Sequence, residues 1–309
     1  MFAITKKNNP LRTFNKNKEL FFLSLPAIVF IFIFSYIPMF GVVIAFKNFR
    51  YDLGFLKSPW VGFENFKFLF QSQDAWRITR NTIGLNAIFI ITTLIVSVII
   101  ALMLNELSRR SVKVYQTSMF FPYFLSWVVV TYVFVALFDI DLGLVNNILK
   151  GFGIEPIYWY SEPSYWPYLL TFATVWKQAG YYSIIYYTGI MGIDSSYYDA
   201  AAIDGAGKWQ QVRRVTLPLL SPLIIIMLLL QLGTIFYADF GLFYQVTRDS
   251  GVLYPTTDVI DTYVFRALRS VGDIGMASAV GLYQSFVGFI LVIISNWVVR
   301  RIDREKSLF

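Results

Sequence analysis

The chain has 309 residues, 57% of them hydrophobic, 19% aromatic and only 15% charged, with a formal net charge of +7. That much apolar surface cannot be hidden in one soluble core of this size, so a bilayer is the natural solvent. Cys and His are both absent, which excludes disulfides, Cys- or His-ligated metals, thiol nucleophiles and imidazole acid–base chemistry.

In chain order, a basic tail over residues 1–19 (Lys6, Lys7, Arg12, Lys16, Lys18) precedes an uncharged run over 20–46. The run is too long for the apolar region of a signal peptide and lacks a small-residue cleavage site, so it reads as a retained first span. Five further windows, 81–105, 114–138, 166–190, 217–238 and 277–299, reach the roughly 20 apolar residues a spanning helix needs. They are continuous rather than alternating, which favours helices over a closed barrel. Lys177, in the fourth window, is the one charge inside any of them. No low-complexity linker or internal repeat divides the chain. The predicted fold is an all-α membrane protein with six transmembrane helices: a single transmembrane domain over 20–309 carrying a polar loop, 191–216, between the fourth and fifth spans.

Basic residues set the orientation. With the N-terminus inside, the inner segments 1–19, 107–113, 191–216 and 300–309 hold fifteen Lys/Arg in 62 residues, against ten in 97 for the outer segments 47–80, 139–165 and 241–276. This asymmetry predicts that the N-terminus and C-terminus are both cytoplasmic. It also makes the positive charge a matter of topology rather than a sign of nucleic acid. Tyr158, Trp159, Tyr160, Trp166 and Tyr168 suit the outer headgroup region.

The same topology places the loop 191–216 in the cytoplasm. Asp194, Ser195 and Ser196 suit a helix start. Asp199 is expected in the first turn, where the helix dipole favours an acid. Ala200, Ala201 and Ala202 have high helix propensity and little bulk, so a partner's groove can admit them. Gly205 permits a sharp turn at positive φ. Trp209, Val212 and Val215 recur as an apolar stripe, and Pro218 suits the first turn of the fifth span.

Asp199-Ala200-Ala201, three residues, Gly205, nine residues, then Val215-x-Leu217-Pro218 resembles the EAA loop of ABC importer permeases. That pattern is E-A-A, three residues, G, nine residues, I-x-L-P; here Asp199 stands for Glu and Val215 for Ile. Three weaker elements are similar to the sugar-uptake branch of that family: Val61-Gly62-Phe63-Glu64-Asn65-Phe66, then Val175–Tyr181 with its Trp176-x-x-x-Gly180 spacing, and Asp258–Val264. The resemblance covers nearly the whole chain. It implies a type I ABC importer permease of the bacterial cell membrane, in the carbohydrate (oligosaccharide) subfamily. Its loop would dock on a cytoplasmic ATPase through Asp199, Ala200, Ala201, Asp204, Gly205, Ala206, Val215, Leu217 and Pro218. It further implies a second, homologous permease, two ATPase subunits and an extracellular substrate-binding protein. The chain has no phosphate-binding GxxxxGK[ST] loop. It is therefore expected to be a non-catalytic subunit that binds no cofactor, with ATP and Mg handled by the partner subunits.

An intramembrane charge is expensive and ordinarily faces protein or a water-filled cavity. Thr174, Lys177, Gln178 and Tyr181 share one helical face, and Phe236, Tyr237 and Asp239 close the fifth window. Together they are the candidate cargo pathway. Lys177 would draw an acidic or sulfated sugar, or else pair with Asp239 or cap a free carbonyl. Alternative readings are an amino-acid or peptide permease of the same class and an ion-driven secondary transporter, which ought to show inverted repeats and buried acids in its spans. A membrane enzyme using Asp139 and Asp141 is a further alternative, but it lacks an accompanying catalytic constellation.

Overall fold

The computed structural model describes residues 18–302, and the rest of the basic tail and residues 303–309 lie outside the described residues. Among the described residues the chain is helical, with one isolated bridge between Lys47 and Trp60 and no strand. The principal helices are α1 (Lys18–Phe46), α2 (Gln73–Asn105), α3 (Arg109–Phe120), α4 (Trp127–Phe138), α5 (Leu144–Gly151), α6 (Trp166–Met191), α7 (Ser195–Ile203), α8 (Lys208–Leu232), α9 (Ile260–Val271) and α10 (Ile274–Ile302).

Four of these, α1, α2, α8 and α10, are long and apolar enough to cross a membrane. The pair α3–α4 makes a fifth if counted as one span, but it bends by 98°. The sequence reading took 114–138 as one continuous helix. The structure breaks it at Phe120, where a short 3₁₀ turn over Phe121–Phe124 containing Pro122 follows, and Ser126 then caps α4 by accepting a hydrogen bond from the Val129 amide. A proline and a cap in an apolar run are enough to end a helix that hydropathy alone would continue. The window 166–190 is recovered as α6, whose 26 residues give about 39 Å of helix. Its lysine, glutamine and tyrosines leave it less apolar than the four long spans.

The fifth window also differs. α8 ends at Leu232, and residues 233–238 turn away from the helix, so Phe236, Tyr237 and Asp239 lie beyond it. At its other end α8 begins at Lys208, well before the apolar window. Pro218 is therefore not in a first turn but inside a continuous helix. A π-turn over Val212–Thr216, in which the Leu217 amide reaches the Val212 carbonyl, widens the coil just ahead of the proline and absorbs its missing donor.

α2 is the axis of the bundle. It contributes Leu85 and Phe89 to one core cluster with α4 and α6, Ile78 and Ile90 to a second with α9 and α10, and Val98 and Ala101 to a third with α6 and α8. α6 packs along α2 and meets the end of α3 at Gly180, where a methyl group would overlap the Met119 carbonyl. Gly180 of the Trp176-x-x-x-Gly180 element thus serves close approach of helices. The Val61–Phe66 element is a clasp: Asn65 Nδ2 donates to the carbonyls of Ala45 and Lys47, both at 2.9 Å, and fastens the end of α1 to the loop after it. No residue from Lys18 to Met39 is buried, so the apolar side chains of α1 are left to lipid or to another chain.

Candidate coupling loop and cargo cavity

The loop between α6 and α8 is built by local rules. Asp194 is the N-cap of α7, its carboxylate accepting from the Ser196 amide at 2.9 Å. That bond, chiefly from the backbone, holds the Asp194 carboxyl below its ordinary range. Asp199 is the fifth residue of α7, past the first turn where the sequence reading placed it, because the helix starts at Ser195. At the other end Gly205 has φ +79°. Its amide donates to the Ala202 carbonyl at 3.0 Å, and the Ala206 amide to the Ala201 carbonyl at 2.9 Å. This is the Schellman pair that closes a helix with a left-handed residue. Gly207 then caps α8, its amide donating to Gln210 Oε1 at 2.9 Å.

The loop is fastened from beneath and bare on top. Tyr198 and Thr216 share a hydroxyl hydrogen bond of 3.0 Å between α7 and α8. Lys208 pairs with Glu106 at 3.2 Å, an exposed contact of small energetic weight. No residue of α7 is buried. Ile203 is 87% exposed and Trp209 73%. Of the predicted stripe, Val212 and Val215 are half-buried while Trp209 faces outward. Asp199, Ala200 and Asp204 are exposed and Ala201 and Ala206 half-buried. The expected docking residues therefore lie on a small-residue helix flanked by the uncovered apolar side chains of Ile203 and Trp209.

The predicted pathway residues separate into two groups. Thr174, Gln178, Tyr237 and Asp239 line one cavity of about 210 Å³, together with Asn86, Phe89, Ile90, Tyr182, Gln231, Thr234, Ile235 and Leu242. Hydroxyls, carboxamides and one carboxylate line it beside Phe89, Ile90, Ile235 and Leu242, and among the described residues no basic side chain does.

Lys177, Tyr181 and Phe236 lie elsewhere. The Lys177 ammonium donates to the Tyr123 carbonyl at 2.7 Å, with the rings of Tyr123 and Trp127 centred 5.4 and 5.3 Å away. It thus caps the carbonyl freed by the break between α3 and α4, and it forms no ion pair with Asp239 among the described residues. The Asp239 carboxylate instead accepts from Trp127 Nε1 at 2.6 Å and from the Leu242 amide at 3.3 Å. Tyr181 stacks on Tyr123 with ring centres 4.5 Å apart. Phe236 is buried against Tyr283. Sequence reasoning missed Asn86, Gln231 and Thr234. Asn86 and Gln231 are uncharged carboxamides in apolar stretches, a quieter signal than a charge.

Ion pairs tie α9 to the segments around it. Asp258, its side chain only 1% exposed, is bound by Arg266 and, at 3.4 Å, by Arg77. Arg266 also holds Asp249 at 2.9 Å and lies 4.1 Å from the Tyr254 ring centre. This explains one acid of the Asp258–Val264 element. The other, Asp261, accepts from the Ala238 amide at 2.8 Å, and burial pushes its carboxyl above the ordinary range against the opposing pull of that amide.

Residues 93–304 match the family described as binding-protein-dependent transport system inner membrane component. Protein LplB of Bacillus subtilis (strain 168) is 33% identical over 94% of this chain and 91% of its own length. The polygalacturonan/rhamnogalacturonan transport system permease protein YteP of the same bacterium is 31% identical over 99% of this chain and 95% of its own. Among solved structures, a chain of a bacterial ABC transporter involved in the import of the acidic polysaccharide alginate superposes with a TM-score of 0.85 at 32% identity, covering 95% of this chain and 99% of that one. A chain of a bacterial alginate ABC transporter in complex with alginate pentasaccharide-bound periplasmic protein gives 0.85 at 31%, covering 94% and 97%.

Proposed function

We propose that this chain, which belongs to the binding-protein-dependent transport system inner membrane component family, is the permease subunit of an ATP-driven saccharide importer. In this reading it has six spans, with both termini in the cytoplasm of a bacterial cell. It forms half of the pathway beside a second, homologous permease. Two ATPases bind ATP and Mg below, and an extracellular binding protein delivers cargo above. The saccharide class is supported by relatives named for polygalacturonan/rhamnogalacturonan and lactose transport and by the alginate importer. The cavity suits it, since hydroxyls and carboxamides exchange hydrogen bonds with sugar hydroxyls.

The observation that carries the coupling mechanism is the continuity of α8. It starts at Lys208, against the Schellman turn of the exposed loop, and runs 25 residues to Leu232, beside Gln231 in the cavity wall. At 1.5 Å per residue it is a rod of about 37 Å. When the ATPases close and drag the loop residues 199–218, the rod carries the displacement into the cavity, so access alternates by rigid-body rocking.

The test is uptake by proteoliposomes that contain this chain with its co-purified partners. Labelled maltotriose and trigalacturonate serve as neutral and acidic probes, with ATP enclosed and binding protein outside. Uptake of at least one saccharide, dependent on ATP and on binding protein, is the expected result. Uptake driven by an ion gradient without ATP, or of amino acids in place of both saccharides, would reject it.

A further inference from the structure

The end of α8 poses a backbone problem. Residues 233–238 leave the helix with Ile235 and Phe236 buried, and buried backbone polar groups there need partners. The amides of Thr234, Ile235 and Tyr237 are met locally by carbonyls three residues back. The carbonyls of Ile235, Phe236 and Tyr237 and the Ala238 amide are met by side chains from three other elements. Asn86 Nδ2, on α2, donates to the Ile235 carbonyl at 2.8 Å and the Tyr237 carbonyl at 3.0 Å. Gln284 Nε2, on α10, donates to the Phe236 carbonyl at 2.6 Å. Asp261, on α9, accepts from the Ala238 amide at 2.8 Å and from Gln284 Nε2 at 3.4 Å.

This segment supplies Thr234, Ile235 and Tyr237 to the cavity wall and is followed there by Asp239, whereas Asp261 and Gln284 do not line the cavity. Gln284 is buried and Asp261 half-buried. A buried carboxamide and a carboxylate that hold Phe236 and Ala238, on either side of Tyr237, do more than fill space, because simple packing there needs no polar atoms.

We propose that Asp261 and Gln284 are positioning residues of the cargo site. Acting through the backbone of 236–238, they fix Tyr237 and Asp239 in the cavity wall and so set which saccharide fits. The cargo part rests on the saccharide reading above. The proposal gives the Asp258–Val264 element two separate tasks: Asp258 ties the ion cluster together, and Asp261 holds the cavity wall.

The natural chain contains no cysteine, so Thr234→Cys provides a single reporter on the segment. Its rate of modification by a small charged thiol reagent is measured in the purified complex, alone and combined with Asp261→Asn, Asp261→Leu and Gln284→Leu. Folded yield is followed by gel filtration, with Gln284→Met as a milder second variant where a leucine variant fails to fold. Asn keeps an oxygen that accepts from Ala238, whereas Leu does not. We expect the Asp261→Leu and Gln284→Leu rates to rise at least fivefold and the Asp261→Asn rate to stay within twofold of the Thr234→Cys parent. Equal rates throughout, or Asn as fast as Leu, would overturn the positioning role and leave simple packing or charge. Maltotriose and trigalacturonate are also tested for protection of the reporter. Protection by one or both supports the cargo assignment. Absence of protection by both overturns that assignment, while the Asn-against-Leu comparison still judges the positioning of the segment.

Discussion

Gly205 carries the most quantitative expectation. It sits at φ +79° in the Schellman turn that ends α7, and a Cβ built there meets nothing within 4 Å. A substitution therefore strains the backbone without creating a clash. For an L-residue the left-handed conformation costs roughly 1–2 kcal/mol, and Asn pays less of this because it visits that region more readily. Since about 1.4 kcal/mol is a factor of ten in an equilibrium constant, Gly205→Ala should cut the ratio of formed to unformed turns by about five- to thirtyfold relative to glycine. Gly205→Val should be worse, because β-branched residues are outliers at positive φ. Transport and ATPase retention should fall in the order Gly, Asn, Ala, Val, while membrane insertion stays constant because the position is exposed and lies outside the apolar runs. The assay is ATP-dependent uptake by proteoliposomes alongside the amount of ATPase retained on gel filtration. Wild-type uptake by the Val variant would refute the turn as the coupling element. Equal failure of Asn and Val would refute the conformational argument.

Lys177→Met should lower the melting temperature by removing the cap on the Tyr123 carbonyl, about 1–2 kcal/mol for a half-buried charge-assisted hydrogen bond. It should reduce maltotriose and trigalacturonate uptake alike, and selective loss of the acidic probe would put the ammonium in the cavity after all. Arg266→Met leaves the buried Asp258 carboxylate with its weaker partner Arg77 and should cost about 3–5 kcal/mol in thermal unfolding, with Asp258→Asn in the same background restoring part of it. The Asp194 carboxyl lies below its ordinary value, so its cap stabilises α7 above the unfolded pKa of about 4 and is lost as pH falls through the folded value. Amide exchange in the first turn of α7, corrected for intrinsic rate, should accelerate on acidification in the wild type and not in Asp194→Asn.

The loop was legible because its geometry is local. Gly205 at a fixed distance from the alanines announces a left-handed turn, and Asp194 announces a cap, whatever the rest of the chain does. The spans were legible as apolar runs but their interruptions were not. Pro122 and Ser126 in one run, and Gly233 and Thr234 in another, are too few to register against so many apolar neighbours. The partner of Lys177 is a backbone carbonyl 54 residues away, and a carbonyl has no sequence signature. For the same reason Thr174 and Gln178 could be placed on one helix face with Lys177 and Tyr181, but not sorted between the cavity and the broken span. Asn86 and Gln284 answer to carbonyls freed by the unwinding of residues 233–238, so their task exists only once that break is known.

The central claim is that this chain is a permease coupled through the loop 199–218 to an ATPase. The most direct measurement is purification of the chain from its native membrane in mild detergent, with a photo-crosslinker at Ile203, the 87% exposed residue at the end of α7, and identification of every chain recovered. The expected result is a second permease of the same family together with an ATPase carrying a phosphate-binding loop, the ATPase crosslinked to residue 203. A chain that purifies alone, with residue 203 crosslinked to nothing but lipid, would contradict the account.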